Sequence, residues 1–234
     1  MVRPLSASEI EIFFARLKAR DPAPKTELVY TNAFTLLVAV VLSAQATDKG
    51  VNRATAALFA IADTPAKMFA LGEKGLSEFI KTVGLYPTKS KNVIALSKIL
   101  IEKFGGEIPR TREELESLPG VGRKTANVVL NVAFGEDTMA VDTHIFRVSN
   151  RTGLAPGKDV LDVELGLLKR VPGEYRQHAH HWLILHGRYI CVARTPRCPV
   201  CPVADVCHFA DKTKEAPLKK RAANQPSRAK RRGS

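Results

Sequence analysis

The stretch "SLPGVGRKTANVV" (residues 117–129) sets Gly120 and Gly122 around one valine and places Lys124 two positions after the second glycine. Pro119 ends the helix before it, because the residue ahead of a proline is pushed out of helical geometry. The two glycines permit backbone conformations closed to most residues. Val121 is apolar and suited to plug the angle between two helices. A helix over 111–118, a tight turn and a second helix over 123–134 follow from this reading. Amides at the turn and at the positive end of the second helix then point outward and make an anion site, for which phosphate is the obvious ligand. A plain Gly-Pro helix connection has the same residue types. A P-loop is excluded, since Arg123 stands where that motif has glycine and a helix rather than a strand precedes the turn.

Outward from this hairpin the chain reads as helical nearly throughout. "LSASEIEIFFARLKA" opens with Ser8 and Glu11 in capping-box spacing, and Ile10, Phe13, Phe14 and Leu17 form one apolar face. "DPAPK" (21–25) interrupts. Helices are expected near 32–43, 49–61 (capped by Asp48), 64–71, 75–82 and 88–104, parted by Gly72, "GLYP" and "FGGEIP". Further helices fit 143–150, capped by Asp142, and 159–170 and 174–188. No strand alternation or long-period repeat stands out, so the expected class is all-α.

The chain has 234 residues, 45% of them apolar, enough to bury a sizeable core, and a formal charge of +13. Residues 212–234 carry a net +8 of that charge, which leaves a mildly basic body at +5. A polyanionic partner is implied. The basic segment from 212 onward reads as a disordered tail. Its "KKR…RAKRR" pattern fits a nuclear import signal, but such tails are common and a bacterial cytoplasm is the favoured setting. The longest apolar run, "FTLLVAVVL" (34–42), is too short to span a bilayer, and the N-terminus lacks the apolar core of a signal peptide, so a non-secreted protein without a membrane partner is expected.

All four cysteines fall between Cys191 and Cys207, with gaps of six, two and five residues at Cys198 and Cys201. Such clustering favours one tetrathiolate site over a disulfide framework, and spacing alone leaves zinc and an iron–sulfur cluster open. Four histidines (178, 180, 181 and 186) share one predicted helix; only His178 and His181 share a face, which reads as packing or surface.

"LPGVGRKTA" is a helix-hairpin-helix signature. With "VDTHIFRV", "LSAQATD" (42–48), "GLY" (84–86), "HHWLILHGRYIC" (180–191) and the cysteine run, the chain from about 8 to 210 closely resembles the endonuclease III family of DNA glycosylase/AP lyases. The resemblance implies a two-lobed fold: a six-helix barrel over 27–136, containing the hairpin at about 111–134, and a cluster lobe made of 1–26 with 137–211. It implies a [4Fe-4S] cluster on the four cysteines and a monomer acting on double-stranded DNA that holds damaged pyrimidines or abasic sites.

The resemblance implies that Lys124 is the nucleophile and Asp142 its catalytic carboxylate. By residue type alone, Lys124 is equally a phosphate-binding lysine and Asp142 an ordinary cap. The resemblance gives Gln45 the hole left by a flipped nucleotide and Leu85 the opposite strand. Their ordinary readings are a loop glutamine and a core leucine. Gly120, Val121, Gly122 and Arg123 are expected on DNA phosphate. His144 is a candidate pocket residue or a helix-surface histidine. Arg194 and Arg197 in the first cysteine gap are candidate phosphate contacts, although Thr195 stands between them where family members often carry lysine. A thymine or adenine mismatch glycosylase of the same superfamily, and a non-enzymatic four-cysteine zinc protein that binds DNA, are the alternatives.

Overall fold

Two Ser-x-x-Glu pairs compete to start the first helix, and Ser6 with Glu9 prevails over Ser8 with Glu11. Ser6 Oγ accepts from the Glu9 amide at 3.2 Å and Glu9 Oε2 accepts from the Ser6 amide at 2.6 Å. The choice follows from the flanks: starting at Ser6 buries Leu5 and Ile10 across the first turn, each 3% exposed, whereas a start at Ser8 would use Ile12, which is 40% exposed. The computed structural model describes residues 2–214, all helix, turn and loop with no strand among them. The expected tail from 215 onward lies outside the described residues. Its expected start is corrected: Lys212 Nζ donates to the Cys207 carbonyl and Thr213 Oγ1 to that of Pro196, both at 2.5 Å, so these residues belong to the cysteine loop.

The helices in order are α1 (Ala7–Arg20), α2 (Ala33–Ser43), α3 (Asp48–Ile61), α4 (Pro65–Ile80), α5 (Tyr86–Phe104), α6 (Arg112–Glu116), α7 (Arg123–Phe134), α8 (Thr143–Thr152), α9 (Val160–Arg170) and α10 (Gly173–Tyr189). A 3-10 turn at Cys198–Val200 follows. Where two helices were expected around Gly72, α4 runs through, but Gly72 breaks it at φ 65°. Thr47 rather than Asp48 caps α3, accepting from the Gly50 amide, because the Asp48 carboxylate is engaged by Arg188.

Two buried clusters organise the molecule. One runs from Leu28 to Leu130 with Ala140 and is almost wholly aliphatic, with α2 at its centre. The other joins Leu5–Leu17 to Met139–Val206. Aromatic contacts mark it: Phe14 stacks on Tyr175 at 5.5 Å and meets Trp182 at 6.2 Å. Polar ties cross between the clusters. Arg123 grips Glu164 on α9, and Arg188 on α10 reaches both Glu27 and Asp48. The site lies between them.

Candidate active site

Helix α7 begins at Gly122 without a side-chain cap, and its first internal bond runs from the Ala126 amide to the Gly122 carbonyl. The amides of the first turn therefore have no helical acceptor. Gly120 is at φ +79°, where an L side chain is strained, and a Cβ there would press on Asn92 at 2.9 Å. Gly122 is different. Its backbone is extended, at φ −104°, and a Cβ would meet nothing within 4 Å. The expectation that it needs a glycine-only conformation is thus corrected; what it keeps clear is the space in front of the open helix end. Val121 is buried as the plug, and its amide bonds to Leu118 O rather than facing outward. Arg123 also departs from expectation. Its guanidinium clasps the buried Glu164 at 2.8 and 2.9 Å, with Arg112 nearby at 3.5 Å, so it ties the hairpin to α9 instead of standing free for phosphate.

Lys124 and Asp142 come together on one cavity of about 570 Å³. Its lining also includes Gln45, Asp48, His144, His180 and Arg188. Lys124 is open to the cavity yet crowded by its walls, and that desolvation lowers its ammonium pKa below the ordinary lysine value. The negative charges of Asp142 and Asp48 oppose the shift and Arg188 adds to it. On the same cavity, Asp142 caps α8, its Oδ1 accepting from the amides of His144 and Ile145 at 2.9 Å each. The cap fixes the carboxylate's direction. His144 follows on the first turn, with Nδ1 accepting from Arg147 at 3.1 Å. Gly187 lets α10 approach there, since a Cβ would strike the His144 Cβ at 2.8 Å.

Sequence reasoning missed three residues of this cavity. His180, read as packing or surface, is 3% exposed; burial drives its pKa well down, so it is neutral, and its Nδ1 has no partner. Arg188 and Asp48 pair at 2.6 Å. The available signal was the spacing His180, Ile184, Arg188, which lays one face of α10 along the cavity.

Gln45 and Leu85 stand at the tips of adjacent loops. Gln45 is exposed at φ 56°, and Leu85, far from being a core residue, is 60% exposed at φ 59°. The position of a Gly84 Cβ would lie 3.8 Å from Gln45 O, which places the loops side by side.

The four cysteines line a second pocket with Arg151, His186, Ile190 and Phe209, and none forms a disulfide. No carboxylate lines it. Burial pushes the Cys201 thiol up to about 11 and raises Cys207, so bare thiols stay protonated and a cationic centre is needed to make them thiolates. Four cysteine sulfurs with no carboxylate among the lining residues, beside Arg151, fit an anionic iron–sulfur cluster. The loop is pinned to α8: Arg147 donates to Cys191 O at 2.9 Å, and Arg151 to Val192 O at 2.7 Å and Ala193 O at 2.6 Å. Arg194 and Arg197 are exposed on this loop, away from the lysine cavity.

Comparison with known proteins identifies the family. The family model described as "HhH-GPD superfamily base excision DNA repair protein" matches residues 38–172, and that of the "Iron-sulfur binding domain of endonuclease III" matches residues 191–207. Endonuclease III of Haemophilus influenzae is 59% identical over 203 residues, covering 87% of this chain and 96% of the relative. Endonuclease III of Escherichia coli K12 is 57% identical over 206 residues, covering 88% and 97%. A solved structure described as a trapped endonuclease III–DNA covalent intermediate superimposes with a TM-score of 0.81 at 46% identity, covering 87% of this chain and 96% of that one.

Proposed function

The chain belongs to the endonuclease III family of the helix-hairpin-helix base excision repair superfamily, and from that premise we propose that Lys124 is the nucleophile and Asp142 the catalytic carboxylate acting on oxidised pyrimidines and abasic sites. The activity is that of a DNA glycosylase with AP lyase function, its partner is DNA and its cofactor is a [4Fe-4S] cluster. The non-enzymatic zinc-protein reading is thereby set aside, and relatives of 57–59% identity named endonuclease III favour this reading over a mismatch glycosylase.

The carrying observation is that Lys124 and Asp142, each at the start of a helix, line one cavity. The lowered pKa of Lys124 supplies neutral amine, which attacks C1′ of the flipped nucleotide. As the N–C1′ bond forms, the bond from C1′ to the base breaks, and Asp142 offsets the positive charge developing on the sugar. The amine proton passes to Asp142 or to cavity water. A proton delivered to O4′ lets the C1′–O4′ bond open and the iminium form, which acidifies the C2′ hydrogen; loss of that hydrogen expels the 3′ phosphate, and water then adds at C1′ to release Lys124. Extrusion of the nucleotide costs a few kcal/mol and is easiest for a poorly stacked, oxidised base. Gln45 would fill the vacated position and Leu85 would part the opposite strand. Amides at Gly122 and the first turn of α7, with Arg194 and Arg197, would hold phosphates.

Cys191, Cys198, Cys201 and Cys207 would hold the cluster as thiolates, and its iron would supply the cationic centre that ties the loop together against α8. We further propose a division into lobes 27–136 and 1–26 with 137–211, a monomer, and the bacterial cytoplasm as its setting.

Borohydride reduction of the reacting complex tests this. Wild type should be trapped on abasic or thymine-glycol duplexes with the link mapped to Lys124, and Lys124→Ala should lose trapping and cleavage while retaining lesion binding. Wild-type trapping by Lys124→Ala would overturn the assignment.

A further inference from the structure

Lys89 is a lysine in the wrong place for solvent. It lies in the first turn of α5 and is only 5% exposed. Burial lowers its pKa, and among the described residues no charged group offsets that burial. Its ammonium instead donates to two backbone carbonyls, Leu42 O at 2.9 Å and Ala44 O at 2.7 Å. These belong to the C-terminal end of α2, where carbonyls lack helical partners and the helix dipole is negative. A cation there satisfies an electrostatic need. Yet a water-exposed helix end would satisfy it at less cost, so the buried lysine calls for a further reason.

The reason lies in what the two ends of Lys89 touch. Ala44 immediately precedes Gln45, so the ammonium holds the base of the Gln45 loop. The Lys89 amide donates to Leu85 O at 3.1 Å, so its backbone closes the turn that carries Leu85. Gln45 and Leu85 are the two non-glycine residues with positive φ among those described. Strained backbone of this kind persists only where surrounding contacts over-determine it. One residue thus spans both strained tips, and the neighbouring Ser90 anchors α5 to α4 through its hydroxyl and that of Ser77 at 2.9 Å.

We propose that Lys89 is a positioning residue that clamps the Gln45 and Leu85 loops into a single wedge, so that both tips enter the DNA helix together when a nucleotide is extruded. This rests on the reading of Gln45 and Leu85 as the inserting residues. Lys89 lies outside the cavity that holds Lys124 and Asp142. Its loss should therefore slow extrusion and leave the chemistry on an already extruded sugar unchanged.

The test compares single-turnover borohydride trapping on two substrates: an abasic site in a paired duplex, and the same site in a bulge where the sugar is already unstacked. Lys89→Met keeps the length of the side chain and removes the donors. It should slow trapping in the duplex tenfold or more and leave trapping in the bulge within twofold of wild type. Equal loss on both substrates would show a general folding role and overturn the proposal, as would no loss on either. If Lys89→Met does not fold, Lys89→Gln carries the same comparison. The two readings fail separately. If Gln45→Ala and Leu85→Ala leave duplex trapping unchanged, the tips are not the inserting residues. If they slow it and Lys89→Met multiplies their effect in full in the combined variant, the tips insert but Lys89 does not act through them.

Discussion

Helix α7 starts at Gly122 with nothing over its first turn, whereas α8 starts at Asp142, whose carboxylate accepts two of its own helix's amides. Both starts face the same cavity. The open one addresses an anion from outside, and the lysine on its first turn feels the positive helix end as well as desolvation, both of which disfavour the ammonium. The closed one spends its amides on a carboxylate and so fixes that group's direction, leaving Oδ2 outside the cap. A helix N-terminus thus serves two purposes here: in one it recruits a phosphate, in the other it orients a catalytic side chain.

The sharpest way to break this contrast is at Asp142. Asp142→Asn keeps a capping oxygen and removes the charge. Catalysis should fall about 10²–10⁴-fold, as for loss of a positioned acid–base group, with the melting temperature close to wild type. Asp142→Ala should lose the same activity and in addition about 1 kcal/mol of stability, the usual worth of a cap. Single-turnover rates and thermal melts on the two variants separate the roles. If Asp142→Asn retains wild-type turnover, the carboxylate is only a cap and the two helix starts differ in structure alone.

What could be read from the sequence was local. Asp142 as a cap, α7 over 123–134 and the cysteine spacing depend on residues within a turn or two of each other, and α7 and the Asp142 cap appear as expected. The Ser6 and Ser8 starts carry the same four-residue signal, and only the burial of Leu5 and Ile10 against the second core decides between them. Arg123 looked like a phosphate ligand because its partner, Glu164, is 41 residues away on another helix. His180, Ile184 and Arg188 were legible as a face, but which face of α10 meets a cavity depends on how α10 docks. Leu85 could not be told from a core leucine, since residue type carries no information on exposure at a strained loop tip.

A second way to sharpen the comparison is to fill the open helix start in two places. Gly120→Ala forces an L residue into φ +79° and pushes against Asn92, so it should cost about 1–2 kcal/mol of stability. Gly122→Ala has extended backbone and empty space around the new methyl, so its melting temperature should stay near wild type. Its effect should appear in binding, as roughly a tenfold loss for duplex DNA, the equivalent of one phosphate contact of about 1.4 kcal/mol. Equilibrium binding beside thermal melts reads both. Unchanged affinity in Gly122→Ala would show that the open end of α7 holds no phosphate.

The smallest effect expected is in the pH dependence of Lys124 itself. Only the neutral amine attacks, so the trapping rate should rise with pH and level off at an inflexion below the ordinary lysine value, because desolvation lowers the pKa. The same lowering gives a stability term of definite sign. The unfolded chain holds this proton to higher pH than the folded one, so the contribution of Lys124 to stability increases as pH climbs from the folded to the ordinary value. Two charges in the cavity tune the inflexion in opposite directions. Arg188 pushes the pKa down and Asp48 pushes it up. Arg188→Met should therefore move the inflexion to higher pH and Asp48→Asn to lower pH, each by less than about one unit, since charges across a water-filled cavity interact by about 1 kcal/mol or less. The midpoint, not the amplitude, is the readout, because Arg188 also ties α10 to Glu27 and Asp48 and its loss will lower rates at every pH. Midpoints that move together, or not at all, would mean that Lys124 is governed by the helix start and the cavity walls alone.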